Sequence, residues 1–440
     1  MRTTMKKWLV RGGLVVLCGI IVLVILHVRG RMMLSQKIAE LKAQGLPTSF
    51  AELEAQSRLP EGTPNAADIY MKAFAAYRPL ADAEKQKLLP VIGERPEPEA
   101  NEPYPQKQMD AAREFVEQNQ EMFRLLHEAG QVETCYYPMD YSYGPFPDND
   151  CLMKIKQASE SLYIAVTYYS QNNQSQKAYD AVLDQLHLGQ SLSKSPNMIN
   201  HLVCVAILYH SAFSMEEMVN QISISETQIS QLQEYLQRIE KTASFGPALT
   251  GEMCFCLDWK NLKQIGSSKT PSFEARIQKV ALTLVPQNTT ILIEAYHQMI
   301  EIDKLAIHEQ YTKTQDVVEK AFNAGYLYIV PKLILPAVGK MFEIHLRTRA
   351  NMGCAITAMA IERYRMKEGV LPETVEALVP EYLPAVYVDP FDGKPLRYER
   401  EDAGYIVYTI GGDGVDDGGW ERDPDNPDET YDWVFRVERE

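Results

Sequence analysis

The chain has 440 residues, enough for two or three ordinary domains, and its content of 45% hydrophobic and 23% charged residues is that of a globular protein. A disordered or collagen-like polymer is excluded. The formal net charge of −15 repels phosphate backbones and argues against nucleic acid as a partner.

Trp8 to Val28 reads WLVRGGLVVLCGIIVLVILHV, with no charge between Gly12 and Leu26. A helix of about 20 apolar residues spans a bilayer, so residues 12–28 are expected to meet the membrane. Arg2, Lys6, Lys7 and Arg11 precede the run, and only Arg29 and Arg31 follow closely. Positive residues stay on the cytoplasmic side, which predicts a single pass through the inner (cytoplasmic) membrane with the bulk extracytoplasmic. The exit, His27 to Leu34, has no A-x-A cleavage pattern, so the segment is expected to remain attached as an anchor. Leu17 stands where lipoprotein processing at Cys18 would need a small residue.

Behind the anchor, Met33–Gln44 has a helical pattern ending at Gly45-Leu-Pro, and Thr48 or Ser49 is placed to cap a short helix. Asn65–Tyr77 is a further helix, with Ala66, Ile69, Tyr70 and Phe74 along one face. Residues 79–106 are rich in proline and acids and read as a loop. From about Lys107 to Gly369 helical periodicity dominates. It covers Met109–Glu128, Leu152–Ser170, Gln176–Leu192, Met198–Asn220, Glu226–Thr242 and a long stretch from Thr289 to Ala324. Tyr163, Ala165, Tyr169, Ala178 and Pro196 are loosely similar to a tetratricopeptide helix pair, but no second copy follows at a regular interval. The region reads as irregular helical hairpins.

The end of the chain changes character. Met352, Ala355, Ile356, Met359, Ala360 and Tyr364 lie at helical spacing before Gly369, and three Tyr- and Val-rich runs follow at 395–400, 404–410 and 431–437. The fold class expected is mainly α, with an N-terminal transmembrane helix, an irregular helical-hairpin domain and a small C-terminal α+β module. The corresponding segments are 1–31, 32–106, 107–348 and 349–440.

The C-terminal run RYRMKEGVLPETVEALVPEYLPAVYVDPFDGKPLRYERE, followed by GYIVYTIGGDGVDDGG, resembles the globular part of the major pseudopilins of type II secretion systems. The matching residues are Tyr364, Gly369 and Pro372, then Asp389, Pro390, Phe391, Gly393, Pro395 and Tyr398, then Tyr408, Gly411, Asp413 and Gly414. The resemblance covers about a fifth of the chain. It implies a calcium site after the last common strand, with Asp413, Asp416 and Asp417 as ligands. The chemistry is suited, because Ca²⁺ takes six to eight oxygens, in general at about 2.3–2.6 Å, and glycines let a loop turn its carbonyls inward. The competing reading is a solvated acidic turn. In a pseudopilin the membrane helix directly precedes the module, and a Glu lies five positions after the processing Gly. Here Gly13 is followed at that position by Cys18, and some 320 residues intervene. The tail therefore reads as a pseudopilin-like module on a different protein, similar to large extracytoplasmic proteins of envelope-rich bacteria such as planctomycetes.

Other chemistry is sparse. There is no HExxH, G-x-S-x-G, Walker loop or G-x-G-x-x-G, and His187, His201 and His210 lack the spacing of a metal pair. Asp140, Glu252 and Asp258 are candidates for a cleft, and Tyr136, Tyr137, Tyr141 and Tyr143 for stacking or packing. Of the cysteines, Cys135 and Cys151 are the pair expected to form a disulfide in an oxidising compartment. The leading functional expectation is a membrane-anchored scaffold with protein partners in the cell envelope and a calcium-stabilised tail. The alternatives are an accessory of a secretion or pilus-type machine, and a hydrolase whose site is assembled from distant residues.

Overall fold

The apolar N-terminal run and the polar stretch behind it form one helix, α1 (Arg2–Ala43), in the computed structural model. The residues described are 2–90, 92–93, 103–139, 149–258, 285–325, 328–419 and 432–438. Between residues 14 and 28, Leu14, Leu17, Ile20, Ile21, Val22, Val24, Ile25 and Val28 are all exposed. The second half of α1 is part of the body: Leu41 is fully buried, and Lys37 meets Glu294 at 2.5 Å.

Short helices follow, each started by a side chain that satisfies an orphan backbone N–H. Ser49 caps α2 (Phe50–Ser57), Asn65 caps α3 (Ala66–Ala76) and Asp82 caps the single turn α4 (Ala83–Gln86). The stretch read as one helix from Met109 to Glu128 is two, α5 (Gln106–Gln118) and α6 (Gln120–Gly130). Asn119 is the reason for the break. It is fully buried, and its amide donates to the Arg78 and Phe115 carbonyls while its Oδ1 accepts from the Arg78 N–H.

Four long helices then pack as hairpins: α7 (Asn149–Gln171), α8 (Ser175–Gln190), α9 (Met198–Gln221) and α10 (Glu226–Thr242). Helix α9 is long and apolar enough to cross a bilayer, but most of its apolar run is buried in the body. Helix α10 is followed by α11 (Gly246–Asp258), α12 (Gln287–Ile302) and α13 (Ile307–Phe322). The last helix, α14 (Ile329–Glu368), has 40 residues and ends at Gly369, whose φ of 76° is the left-handed cap that favours glycine. Three strands, β1 (Arg397–Glu401), β2 (Gly404–Thr409) and β3 (Trp433–Glu438), form an antiparallel sheet in the order β1-β2-β3. The fold is mainly helical with this small sheet at its end.

Two large hydrophobic cores meet on α14. The first half of that helix, with Val330, Leu335, Val338, Phe342 and Leu346, shares a core with α1, α11, α12 and α13. The second half, from Met352 to Ile361, shares a core with α3 and α5–α10. Tyr405, Val407, Phe435 and Val437 of the sheet belong to that second core. Helix α14 thus runs unbroken through the 348/349 border read from the sequence, at the point where it passes from one core to the other. Each large apolar side chain buried in this way contributes about 1.5–3 kcal/mol relative to exposure.

Candidate functional site

Three places collect polar side chains. The first is the glycine-rich turn after β2. Gly411, Gly414, Gly418 and Gly419 have φ near +72°, which L side chains resist, so the turn depends on glycine. Asp413 Oδ1 accepts from the N–H of Val415 at 3.2 Å, and Asp416 Oδ1 accepts from the N–H of Gly418 at 3.2 Å. Asp416 also accepts from the Tyr408 hydroxyl and lies 3.4 Å from Arg397 Nε. Asp417 gives its N–H, as does Gly419, to Oδ2 of Asp432 at 2.9 Å. Asp432 is 4% exposed, its Oδ1 has no hydrogen-bond partner among the described residues, and burial pushes its carboxyl up to about 6. Among the described residues no group of three or more His, Cys, Asp or Glu stands in a metal-holding arrangement. Residues 420–431, which carry most of the remaining acids of this region, lie outside the described residues.

Arg397 organises the carboxylates beside that turn. It donates to Asp389 Oδ2 at 2.7 Å and to Asp392 Oδ2 at 2.6 Å. Asp389 is fully buried and also accepts from the backbone N–H groups of Phe391 and Ile410. Burial raises its carboxyl above the ordinary range, against the pull of those donors and of Arg397. The residues Asp389 to Gly393 make a tight turn, closed by the Gly393 N–H donating to the Asp389 carbonyl, and Tyr398 reaches back to the Pro372 carbonyl at 3.0 Å.

The second place is a cleft of about 420 Å³ between α2, the segment 134–139, the α8–α9 turn and the start of α11. Leu53, Tyr136 and Met139 give it an apolar wall, while Ser191, Lys194, Ser195 and Thr250 supply polar groups. Lys194 is exposed. Ser195 Oγ accepts from Asn200 at 2.8 Å, and the Tyr137 and Ser191 hydroxyls share a hydrogen bond at 3.2 Å. Cys135 lines the cleft, but burial pushes its thiol up to about 12, so it is held as the unreactive thiol. This arrangement suits non-covalent capture of an amphipathic group.

The third is a buried string of polar side chains. His201 Nε2 and His345 Nδ1 share a hydrogen bond at 3.2 Å, and His345 Nε2 lies 3.8 Å from Asp303 Oδ1. Asp303 Oδ2 accepts from the Ser244 hydroxyl at 2.6 Å and from the N–H groups of Phe245 and Gly246. Phe245 and Phe342 wall the two rings, and burial lowers both histidines to about 3. The adjoining cavity of about 30 Å³ has room for a water and not for a substrate.

No family model matches the chain, and no curated protein or solved structure is similar to it.

The structure separates several residues that the sequence grouped. Cys135 and Cys151, expected as a disulfide, are not joined by one. The Cys135 thiol is instead engaged by the Tyr137 and Ser191 hydroxyls and the Ala67 backbone. Asp258 accepts from the N–H of Phe50 at the start of α2, whereas Glu252 sits near Cys256 and Tyr296, its carboxyl pushed up by burial to about 7. Asp140, Tyr141 and Tyr143 lie outside the described residues. His187 packs on Tyr235 and His210 on Tyr209, so the histidines of that region do not converge. Lys194, Asp432 and the partnership of His201 with His345 were not foreseen. Only the short Asp-to-Asp spacing around Gly418 hinted at any of them.

Proposed function

We propose that the chain is a single-pass membrane protein that acts as an extracytoplasmic scaffold or interaction protein, anchored through residues 12–28. The observation that carries this reading is α1 itself. Its apolar half exposes Leu14, Leu17, Ile20, Ile21, Val22, Val24, Ile25 and Val28, and its second half is built into the body through Leu41 and through Lys37 with Glu294, with the Gln287 amide donating to the Leu26 carbonyl at 2.6 Å between the two. A helix so used by the folded body is suited to an anchor that stays attached rather than to a removable leader. The excess of positive residues before the span favours a cytoplasmic N-terminus and an extracytoplasmic body.

On this reading the cleft beside Lys194 is the contact point for an amphipathic partner group from the cell envelope. Calcium at Asp413, Asp416 and Asp417 is proposed as a structural brace of the tail, with Asp432 as a further ligand. The support is the glycine-dependent turn and the Asp432 carboxylate, whose Oδ2 holds two N–H groups of that turn and whose Oδ1 has no partner among the described residues. A role as accessory to a secretion or pilus-type machine is the second reading. It draws on the order of long helix, Gly369 cap, antiparallel strands and acidic turn, which is similar to that of the pseudopilin module.

The anchor is tested by alkaline carbonate extraction of membranes, N-terminal sequencing, and protease treatment of cells opened at the outer surface only. The expected result is a chain that resists extraction, begins near Met1 and loses its body to external protease. A carbonate-released protein beginning near Met32 would overturn the reading.

A further inference from the structure

Helices α12, α13 and α14 form an up-down-up set whose lower end lies level with the point where α1 leaves its apolar stretch. Helix α12 runs alongside α1 in the same direction. Its first residue, Gln287, touches Leu26 and Gly30, and further along Glu294 and His297 reach Lys37, with His297 also meeting Gln44. The turn at Asp303–Ala306 sends α13 back, and α14 then rises antiparallel to it, with Gly339 against Val318 and Lys332 over the Phe322 ring. His345 of α14 is level with Asp303 at the top of α12. Counting down from these two residues at 1.5 Å per residue brings both helices to their N-termini after about 24 Å, so Ile329 lies at the height of Gln287.

At that height the body exposes large apolar side chains. Phe322 is 54% exposed, Ile329 48% and Leu333 60%. Ile329 and Leu333 are one helical turn apart on the same face, and the ammonium of Lys332 lies 5.4 Å from the Phe322 ring centre. A patch of aromatic and aliphatic side chains beside a long cationic one is the composition that lies in a lipid headgroup boundary, with the ammonium reaching outward to phosphate. The patch lies at the height at which Gln287 meets Leu26 and Gly30, where α1 leaves its exposed apolar stretch.

We infer that Phe322, Ile329 and Leu333 form a foot that inserts into the outer leaflet beside the anchor, with Lys332 against its phosphates. The foot fixes the body upright on the bilayer instead of leaving it to swing from α1. This inference rests on α1 being a membrane anchor.

The test uses the full chain reconstituted in vesicles of phosphatidylcholine and phosphatidylglycerol, with a diazirine amino acid placed singly at Ile21, Leu333 or Val370. Ile21 reports on the anchor, and Val370 is an exposed apolar position just beyond the far end of α14. After illumination, lipid adducts are identified by mass spectrometry. Adducts at 21 and 333, with loss of the signal at 370, are expected. Adducts at 21 but none at 333, or protein adducts in place of lipid at 333, would overturn the foot and leave the anchor standing. Absence of adducts at both 21 and 333 would overturn the anchor, and the foot with it.

Discussion

The buried pair His201 and His345 makes acid stability the sharpest test of the body's packing. Both rings are held neutral by burial, at about 3 in the folded chain against about 6.5 when unfolded. Between those values the unfolded chain binds more protons, so stability present above about pH 6.5 falls as the pH drops toward 3. At pH 4.5 each such histidine costs about 3 kcal/mol, from about two pH units of difference in proton binding. The second histidine adds a similar amount, because both rings take up a proton in the unfolded chain, whereas in the folded chain a proton on one ring further opposes a proton on its neighbour 3.2 Å away. Asp303 attracts a proton to the pair, while Arg349, itself paired with Glu240, repels it. Replacing both, His201→Gln with His345→Gln, removes the titration but keeps donors and acceptors in place. Urea midpoints of the detergent-solubilised chain, followed by near-ultraviolet circular dichroism, are compared at pH 7 and pH 4.5. The variant is expected to be the less stable protein at pH 7, and its deficit is expected to shrink by about 5–6 kcal/mol at pH 4.5. A deficit of the same size at both pH values would refute the buried neutral pair.

Four further outcomes are expected. The full chain should melt at a higher temperature in calcium than in chelator, by the equivalent of about 2.7 kcal/mol at a hundred times the dissociation constant, and Asp416→Ala with Asp417→Ala should abolish the difference. If Asp432 is a ligand, the calcium effect should fade below about pH 6, where its carboxyl takes up a proton, and calorimetry at two pH values checks this. Arg397→Met strands the fully buried Asp389 carboxylate and should cost about 3–5 kcal/mol in denaturant titrations, with Arg397→Lys costing less. Gly251→Ala puts a methyl group into the Pro196 carbonyl and should destabilise by about 1–3 kcal/mol in thermal melts, whereas the neighbouring Thr250→Ala should change little.

The parts of this fold that were legible in the sequence are those where one residue type has one local job. Ser49 and Asn65 mark helix starts because their side chains replace missing backbone acceptors, and Gly369 marks a stop because few other residues tolerate its φ. The alternation of Tyr and Val in 404–409 gave β2 to within a residue. Helix α11 was missed because it is buried on several sides, at Leu249, Gly251, Met253, Cys254 and Cys256, and so shows no polar face. The first half of α14 was hidden by Pro331, Pro336 and Gly339, breakers that the surrounding helices tolerate. The polar partnerships were the least legible. His201 and His345 are 144 positions apart, and no local pattern announces a contact made by packing two helices. Arg397 illustrates an intermediate case. Its partners Asp389 and Asp392 were conspicuous as motif residues, but the charge that binds them to Asp416 was not.

Helix α14 also sets a length scale. Forty residues of helix extend for about 60 Å, and both cores grip the shaft along its course. The antiparallel sheet packs on its upper half, so the acidic turn sits at a set height above the helix's lower end. Helix α14 is thereby a strut that keeps the acidic turn at a constant stand-off from the helix's lower end.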